Sequence, residues 1–169
     1  IGGWQQLVAD KLIGAGRDQH TWVDLAGNRF AAIGTNKCLY IYYEGSIYDI
    51  TPLDLTRTES GASFTMVDTS TTVTITTSGS HGAEVGDIIL LDTVTVPAGT
   101  GFVDADFEDI KFEVKAVPSA TTMEITMGSA ASGTASGGTT GVEFYYVVGP
   151  ITQGYGYGWG TNTFGGYTT

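Results

Sequence analysis

Between His20 and Pro52 the sequence HTWVDLAGNRFAAIGTNKCLYIYYEGSIYDITP alternates short apolar runs with turn formers. Trp22 and Leu25 flank Asp24, Phe30 to Ile33 form a compact apolar run, and Leu39, Ile41 and Tyr43 alternate with Tyr40 and Tyr42. A period of two is the signature of strands with unlike faces. Gly27-Asn28, Thr35-Asn36 and Glu44-Gly45 break these runs, and Gly and Asn supply the positive φ that tight hairpin turns require. The pattern predicts four short strands joined by three tight turns, an antiparallel meander that closes at Thr51-Pro52, where proline has no N–H to donate. A single meander cannot bury both of its faces. Its rings, Trp22, Tyr40, Tyr42, Tyr43 and Tyr48, are therefore expected to meet a neighbouring layer or another subunit.

Past residue 54 the pattern changes. Segments 64–68, 71–77, 87–92, 110–117, 121–127 and 142–148 read as further strands at the close spacing of a small sandwich or barrel. Val73, Ile75, Phe112, Val114, Met123, Ile125 and Met127 mark its inward face, while Thr74, Glu113 and Glu124 point outward. Residues 97–109 read as a loop, and the Gly/Ser/Thr-rich stretch 129–141 as a flexible hairpin tip. The expected fold class is thus all-β: a β-propeller-blade-like four-stranded antiparallel meander with an inserted small β-sandwich or barrel module. Its expected organisation is residues 1–54 for the meander with an N-terminal connector, 55–148 for the inserted module and 149–169 for a Gly/aromatic segment returning to the platform. Trp4 to Lys11 offers the one short stretch with helical character.

Composition supports this reading. Twenty-five glycines and only 15% charged residues suit turn-rich β structure. The net charge is −11, and residues 55–148 hold twelve Asp/Glu against three Lys/Arg. Without clustered Lys and Arg the chain lacks the means to bind nucleic-acid phosphates by counterion release, so no sequence-specific nucleic-acid contact is expected. Acid on the inserted module discourages edge-to-edge pairing of its strands. The lone Cys38 sits in an apolar run and reads as a small buried hydrophobe, unable to form an intramolecular disulfide. No apolar run is long enough for a membrane span. The chain starts at Ile1 without Met and is expected to be a piece of a longer protein.

Catalytic chemistry finds little support. His20 and His81 are distant in sequence and read as strand and turn residues, and no nucleophile-elbow, zinc-protease or phosphate-loop motif is present. Asp104, Asp106, Glu108 and Asp109 form the one dense acidic cluster. It is a weak Ca²⁺ candidate without the spacing or central glycine of an EF-hand loop, and a remote one for paired-carboxylate hydrolysis. No catalytic residue and no cofactor is assigned. In the final segment Tyr155, Tyr157, Trp159 and Phe164 stand among glycines, so they join Trp22, Tyr40, Tyr42 and Tyr43 as expected interface residues. The same rings, Trp159 above all, could instead form a sugar-stacking platform.

Trp4, the run HTWVDLAGNRFAAIGT with KCLYIY and its YDITP ending, the SHGAEVGD turn and the GYGWGTNTFGG stretch together resemble tail-hub or nozzle proteins of short-tailed bacteriophages. The resemblance implies a virion protein of the phage tail, a β-propeller platform interrupted by an inserted β-domain. It also implies a homo-oligomeric ring below the portal adaptor that retains packaged DNA and conducts it at infection. A propeller needs several blades, and these 169 residues contain a single meander. The rival expectation, from a different class, is a carbohydrate-binding adhesin module of a tail fibre or spike that recognises a host-surface glycan.

Overall fold

The computed structural model describes residues 11–146, which fall into two compact units, residues 11–52 and Leu53–Tyr146. The structure is nearly all β, with one antiparallel sheet in each unit and a single 3-10 turn at Asp104–Asp106 as its only helical element among the described residues.

The first unit is the expected meander. Strands β1 (Gly16–Val23), β2 (Arg29–Thr35), β3 (Leu39–Tyr43) and β4 (Ser46–Asp49) lie in sequence order, each antiparallel to the next. Chemistry sets each turn. Glu44 and Gly45 both adopt positive φ, 48° and 86°, the geometry of a two-residue turn whose twist matches the flanking strands. At the β2–β3 turn the Thr35 hydroxyl oxygen accepts from the Cys38 N–H at 2.8 Å and the Lys37 N–H at 3.1 Å. The β1–β2 connection is wider than the two residues expected at Gly27-Asn28. It runs from Asp24 to Asn28 because Asp24 organises it: its Oδ1 accepts from the N–H groups of Ala26 and Asn28, and its Oδ2 from the Asn28 side-chain amide. Those bonds hold the Asp24 carboxyl below its ordinary pKa, the Asn28 side chain first. Leu25, expected beside Trp22 in a strand, is the fully exposed tip of this turn.

The second unit is a rolled sheet in the order β8-β7-β11-β5-β6-β10-β9. Its strands are β5 (Leu53–Met66), β6 (Thr72–Thr76), β7 (Ile88–Thr95), β8 (Lys111–Glu113), β9 (Ala116–Ser119), β10 (Thr122–Thr126) and β11 (Ala135–Tyr145). Strands β8 and β9 stand at opposite edges, yet only Val114 and Lys115 separate them. The sheet must therefore curl until its edges meet. At that seam Val114 exchanges backbone bonds with Gly86 and Asp87 beside β7, while the Lys115 N–H donates to the Glu124 carbonyl of β10 at 2.7 Å. Between the alternatives of sandwich and barrel, this unit takes the barrel.

Its core is continuous. Phe64, Met66, Val73, Ile75, Ile89, Leu91, Phe107, Val114, Met123, Ile125, Val142 and Phe144 are fully buried. The inward positions expected on β6 and β10 are among them, and Phe112 and Met127 pack half-buried against the same cluster.

Three expectations are corrected here. Residues 110–117 are not one strand but β8 and β9, split where the barrel closes. The strand expected to begin at residue 64 begins at Leu53, so the polar stretch after Leu55 is also sheet. The Gly/Ser/Thr-rich run is not a flexible tip over its second half, because Ala135 onward is β11, hydrogen-bonded to β5 and β7 on either side. Its glycines carry the irregular ladder. Gly138 has φ of 70°, and the space a Cβ would need is taken by the Thr95 carbonyl and Pro97.

Candidate interface

Register sorts the meander's side chains onto two faces. Trp22, Phe30, Tyr43 and Ser46 form one row across all four strands, and His20, Ala32, Ile41 and Tyr48 the next row on the same face. Gly34 and Leu39 complete it. Asp18 stands opposite Gly34 at the far end of this face, whereas its two ring-bearing rows carry no Asp, Glu, Lys or Arg. The opposite face holds Thr21, Ala31, Tyr42 and Ile47 in one row and Gln19, Ile33, Tyr40 and Asp49 in another. The rings expected to share one surface are therefore divided: Trp22, Tyr43 and Tyr48 on the first face, Tyr40 and Tyr42 behind it.

The two sets differ in what they can offer. Tyr40 is buried, and its hydroxyl accepts the Ile13 N–H at 3.1 Å, so it secures the segment before β1 instead of meeting a partner. Burial pushes its phenol well above the ordinary tyrosine value. The Thr35 hydroxyl donates to the Ile13 carbonyl at 2.8 Å, and the Asn36 side chain accepts from Ala15, so residues 13–15 are tied to the β2–β3 turn. Cys38 is fully buried within this unit. Tyr42 joins Thr21, Trp22, Val23, Arg29, Phe30 and Ala31 around an open concavity of about 400 Å³ at the Asp24 end of the sheet.

On the first face the rings form a ladder. Trp22 and Phe30 lie 5.3 Å apart between centroids at an interplanar angle of 16°, Phe30 and Tyr43 4.6 Å apart at 19°, and His20 stacks on Trp22 at 6.1 Å. Coplanar rings cannot approach to 4.6 Å edge to edge, so Phe30 and Tyr43 face one another, at about the 4.8 Å spacing of adjacent strands. Both faces of Phe30 are thereby occupied. A stacking sugar needs an open ring face, which the centre of this ladder does not have. What it presents outward is ring edges and aliphatic surface, suited to protein packing. Phe30, absent from the expected interface set, is the centre of the ladder. The signal for it lay in the turns, since the tight Glu44-Gly45 turn and the short Asn36–Cys38 connection fix which residues lie opposite.

The acidic cluster is spent inside its own loop. Asp104 Oδ1 accepts from the Val96 N–H at 2.8 Å and Asp106 Oδ2 from the Val103 N–H at 2.8 Å. Glu108 takes the N–H groups of Thr93 and Val94 on its two oxygens, at 2.9 and 2.6 Å, clasping the loop to β7. Asp109 is exposed with φ of 56°. These carboxylates do not converge on a point, and among the described residues no group of three or more His, Cys, Asp or Glu is placed to hold a metal ion. The clasped loop delivers Phe107 into the barrel core, where its ring meets Phe64, Phe102 and Phe112 at 5.3 to 5.9 Å.

The second unit holds one more charged constellation. The Arg57 guanidinium donates through Nε to Asp54 at 2.9 Å and through Nη1 to Asp87 at 2.7 Å, and lies over the Phe144 ring at 4.7 Å. The hydrogen bond from the Thr56 hydroxyl and the neighbouring Arg57 hold the Asp54 carboxyl below its ordinary value. This cluster ties the start of β5 to the turn before β7. His81, in that turn, is buried, its Nδ1 accepting the Ala83 N–H at 2.9 Å. It serves the turn, as expected. Tyr155, Tyr157, Trp159 and Phe164, and the short Trp4 to Lys11 stretch up to residue 10, lie outside the described residues.

Neither a family model nor a curated protein matches the sequence. Among solved structures the chain is similar to one described as phage phi92 endosialidase, with a TM-score of 0.40 and 20% identity. That similarity covers 71% of this chain and 17% of the other, and a likeness this remote carries no argument about activity or partners.

Proposed function

We propose that this chain belongs to a non-enzymatic structural protein of a phage tail, of the hub or nozzle type, that assembles as a homo-oligomeric ring below the portal adaptor and conducts packaged DNA. The observation that carries the reading is the ring-bearing face of a four-stranded meander, with charge only at its far end, at Asp18. A lone sheet layer leaves such a face half wet, and apolar surface of this kind is stable when a second layer covers it, as between the blades of a propeller.

The second unit fits an insertion in such a platform. Its first and last strands pair at Leu53 and Tyr145, so the chain leaves and re-enters side by side and a host sheet can accept the module at one point. Its acidic surface favours a soluble, projecting position among neighbouring tail proteins over contact with DNA phosphates. The meander's aromatic ladder, with its ring faces already stacked, favours protein packing over a glycan platform.

Electron microscopy of the native virion, combined with native mass spectrometry of the full-length protein, tests the proposal. Ring-shaped oligomers and density for both units at the tail support it. A monomeric protein with no density in the tail would remove it, and glycan-dependent binding by such a monomer would favour the adhesin alternative.

A further inference from the structure

We infer that the concavity at the Asp24 end of the meander is a binding site for a single carboxylated sugar residue. The inference goes beyond the tail reading and concerns the face opposite the ring ladder.

The site follows from register. Val23 stands opposite Arg29, and Thr21 opposite Ala31, which in turn stands opposite Tyr42 on β3. Alternation puts these five side chains on the second face, while the rings of Trp22 and Phe30, between them in sequence, belong to the ladder on the first. The floor is Ala31, only 8% exposed, whose methyl group leaves room that a larger side chain would fill. The resulting open space of about 400 Å³ falls within the range of about 300–1,000 Å³ typical of small-molecule sites. Its few lining residues are far short of the roughly 20–30 that each side of a stable protein interface contributes.

The groups around it are unspent. Among the described residues the Arg29 guanidinium has no acidic partner, although Arg57 and Lys115 are ion-paired and the chain carries eighteen acidic residues. Asp24, its nearest acid in sequence, spends both carboxylate oxygens on its own turn. The hydroxyls of Thr21 and Tyr42 likewise make no hydrogen bond among the described residues, and no ring stacks on Tyr42.

These groups select the ligand. A guanidinium pairs with a carboxylate through two parallel hydrogen bonds, and one such cation balances one negative charge. A phosphate, with its second charge, would be poorly compensated by a single arginine on a chain of net charge −11. Two free hydroxyls suit a polyhydroxylated body, and the open Tyr42 ring beside Val23 suits the C–H face of a pyranose. The ladder on the first face offers neither a cation nor an open ring at its centre.

The test is titration of the isotope-labelled 169-residue chain with D-glucuronate and with D-galacturonate, read by amide chemical shifts. At least one of the two is expected to bind saturably in the millimolar range, moving Thr21, Arg29, Ala31 and Tyr42 while residues 53–146 stay still. Arg29→Gln is expected to weaken that binding about tenfold and Arg29→Glu to abolish it, with the shifts of residues 53–146 unchanged as the check on folding. No saturable shift with either uronate would overturn the inference. So would equal binding of D-glucose, equal binding of acetate, or undiminished affinity in Arg29→Gln. A short glutamate-containing peptide that binds here more tightly than both uronates would overturn it in favour of a protein carboxylate. The outcome is separable from that of the functional reading: a ring-forming tail protein that ignores both uronates would sink this inference and leave the tail assignment standing.

Discussion

Phe107 is the residue on which closure of the second unit can be tested most sharply. It comes from a loop, not a strand, yet it is fully buried and touches three other rings. Phe107→Ala would remove those contacts and leave a void that strands on all sides are too constrained to fill. Phe→Ala truncations in such settings cost about 3–5 kcal/mol, and for a unit of this size each kcal/mol lowers the melting point by roughly 4–8 °C. The expected loss is thus on the order of 15–30 °C, whereas Phe107→Leu, which keeps most of the volume, should cost only about 1.5 kcal/mol. Urea unfolding of the 169-residue chain, followed by amide exchange so that residues 53–146 are read apart from the meander, measures both. A loss below about 1 kcal/mol for the alanine variant would refute the placement of Phe107 in the core and, with it, the structural role given to the acidic loop.

Three further outcomes follow from the same geometry. Glu108→Gln replaces an acceptor of two backbone N–H groups with an amide that can serve only one, and should cost about 1–3 kcal/mol in the same unfolding assay, while millimolar calcium or its chelation leaves the melting point of the parent protein unmoved. Gly138→Ala forces a side chain against the Thr95 carbonyl at positive φ and should cost about 1–3 kcal/mol, visible as lost amide protection in β11. Asp54 has a folded-state pKa below its ordinary 3.8, held there by Thr56 and Arg57, so its contribution is present above that value and is lost as pH falls through the depressed one. Unfolding midpoints measured from pH 5 down to pH 2 should therefore drop less steeply for Asp54→Asn than for the parent.

Much of the meander was legible because its signals are local. Alternation names the strands and glycine names the turns, and at Glu44-Gly45 the two agree. The first turn was misjudged by the same logic, since Gly27 marks positive φ there but Asp24, four residues before Asn28, decides where the strand ends. In the second unit the inward positions of β6 and β10 could be read from period two alone. The seam between β8 and β9 could not, because a strand bent across a barrel closure has the same residues as a straight one and only the sheet order reveals the break. Glycine misled at 135–141, where a composition typical of loose tips serves close backbone approach inside a sheet. The acidic residues at 104–109 misled for a related reason: a carboxylate that caps backbone N–H groups looks, in sequence, like one waiting for a cation. Face assignment was the most consequential gap. Ring count along β1 to β4 suggested one broad aromatic surface, whereas register divides it into a ladder in front and buried anchors such as Tyr40 behind.

A cover over the ring-bearing face of the meander in the intact protein has a direct readout. Hydroxyl-radical footprinting of the native, full-length protein reads this directly at Trp22, Phe30 and Tyr43, with the exposed Leu25 at the turn tip as an internal reference. Under such a cover the three rings are oxidised at least tenfold more slowly than expected for their intrinsic reactivity relative to Leu25. Oxidation of all three at the rate of freely exposed side chains would contradict it.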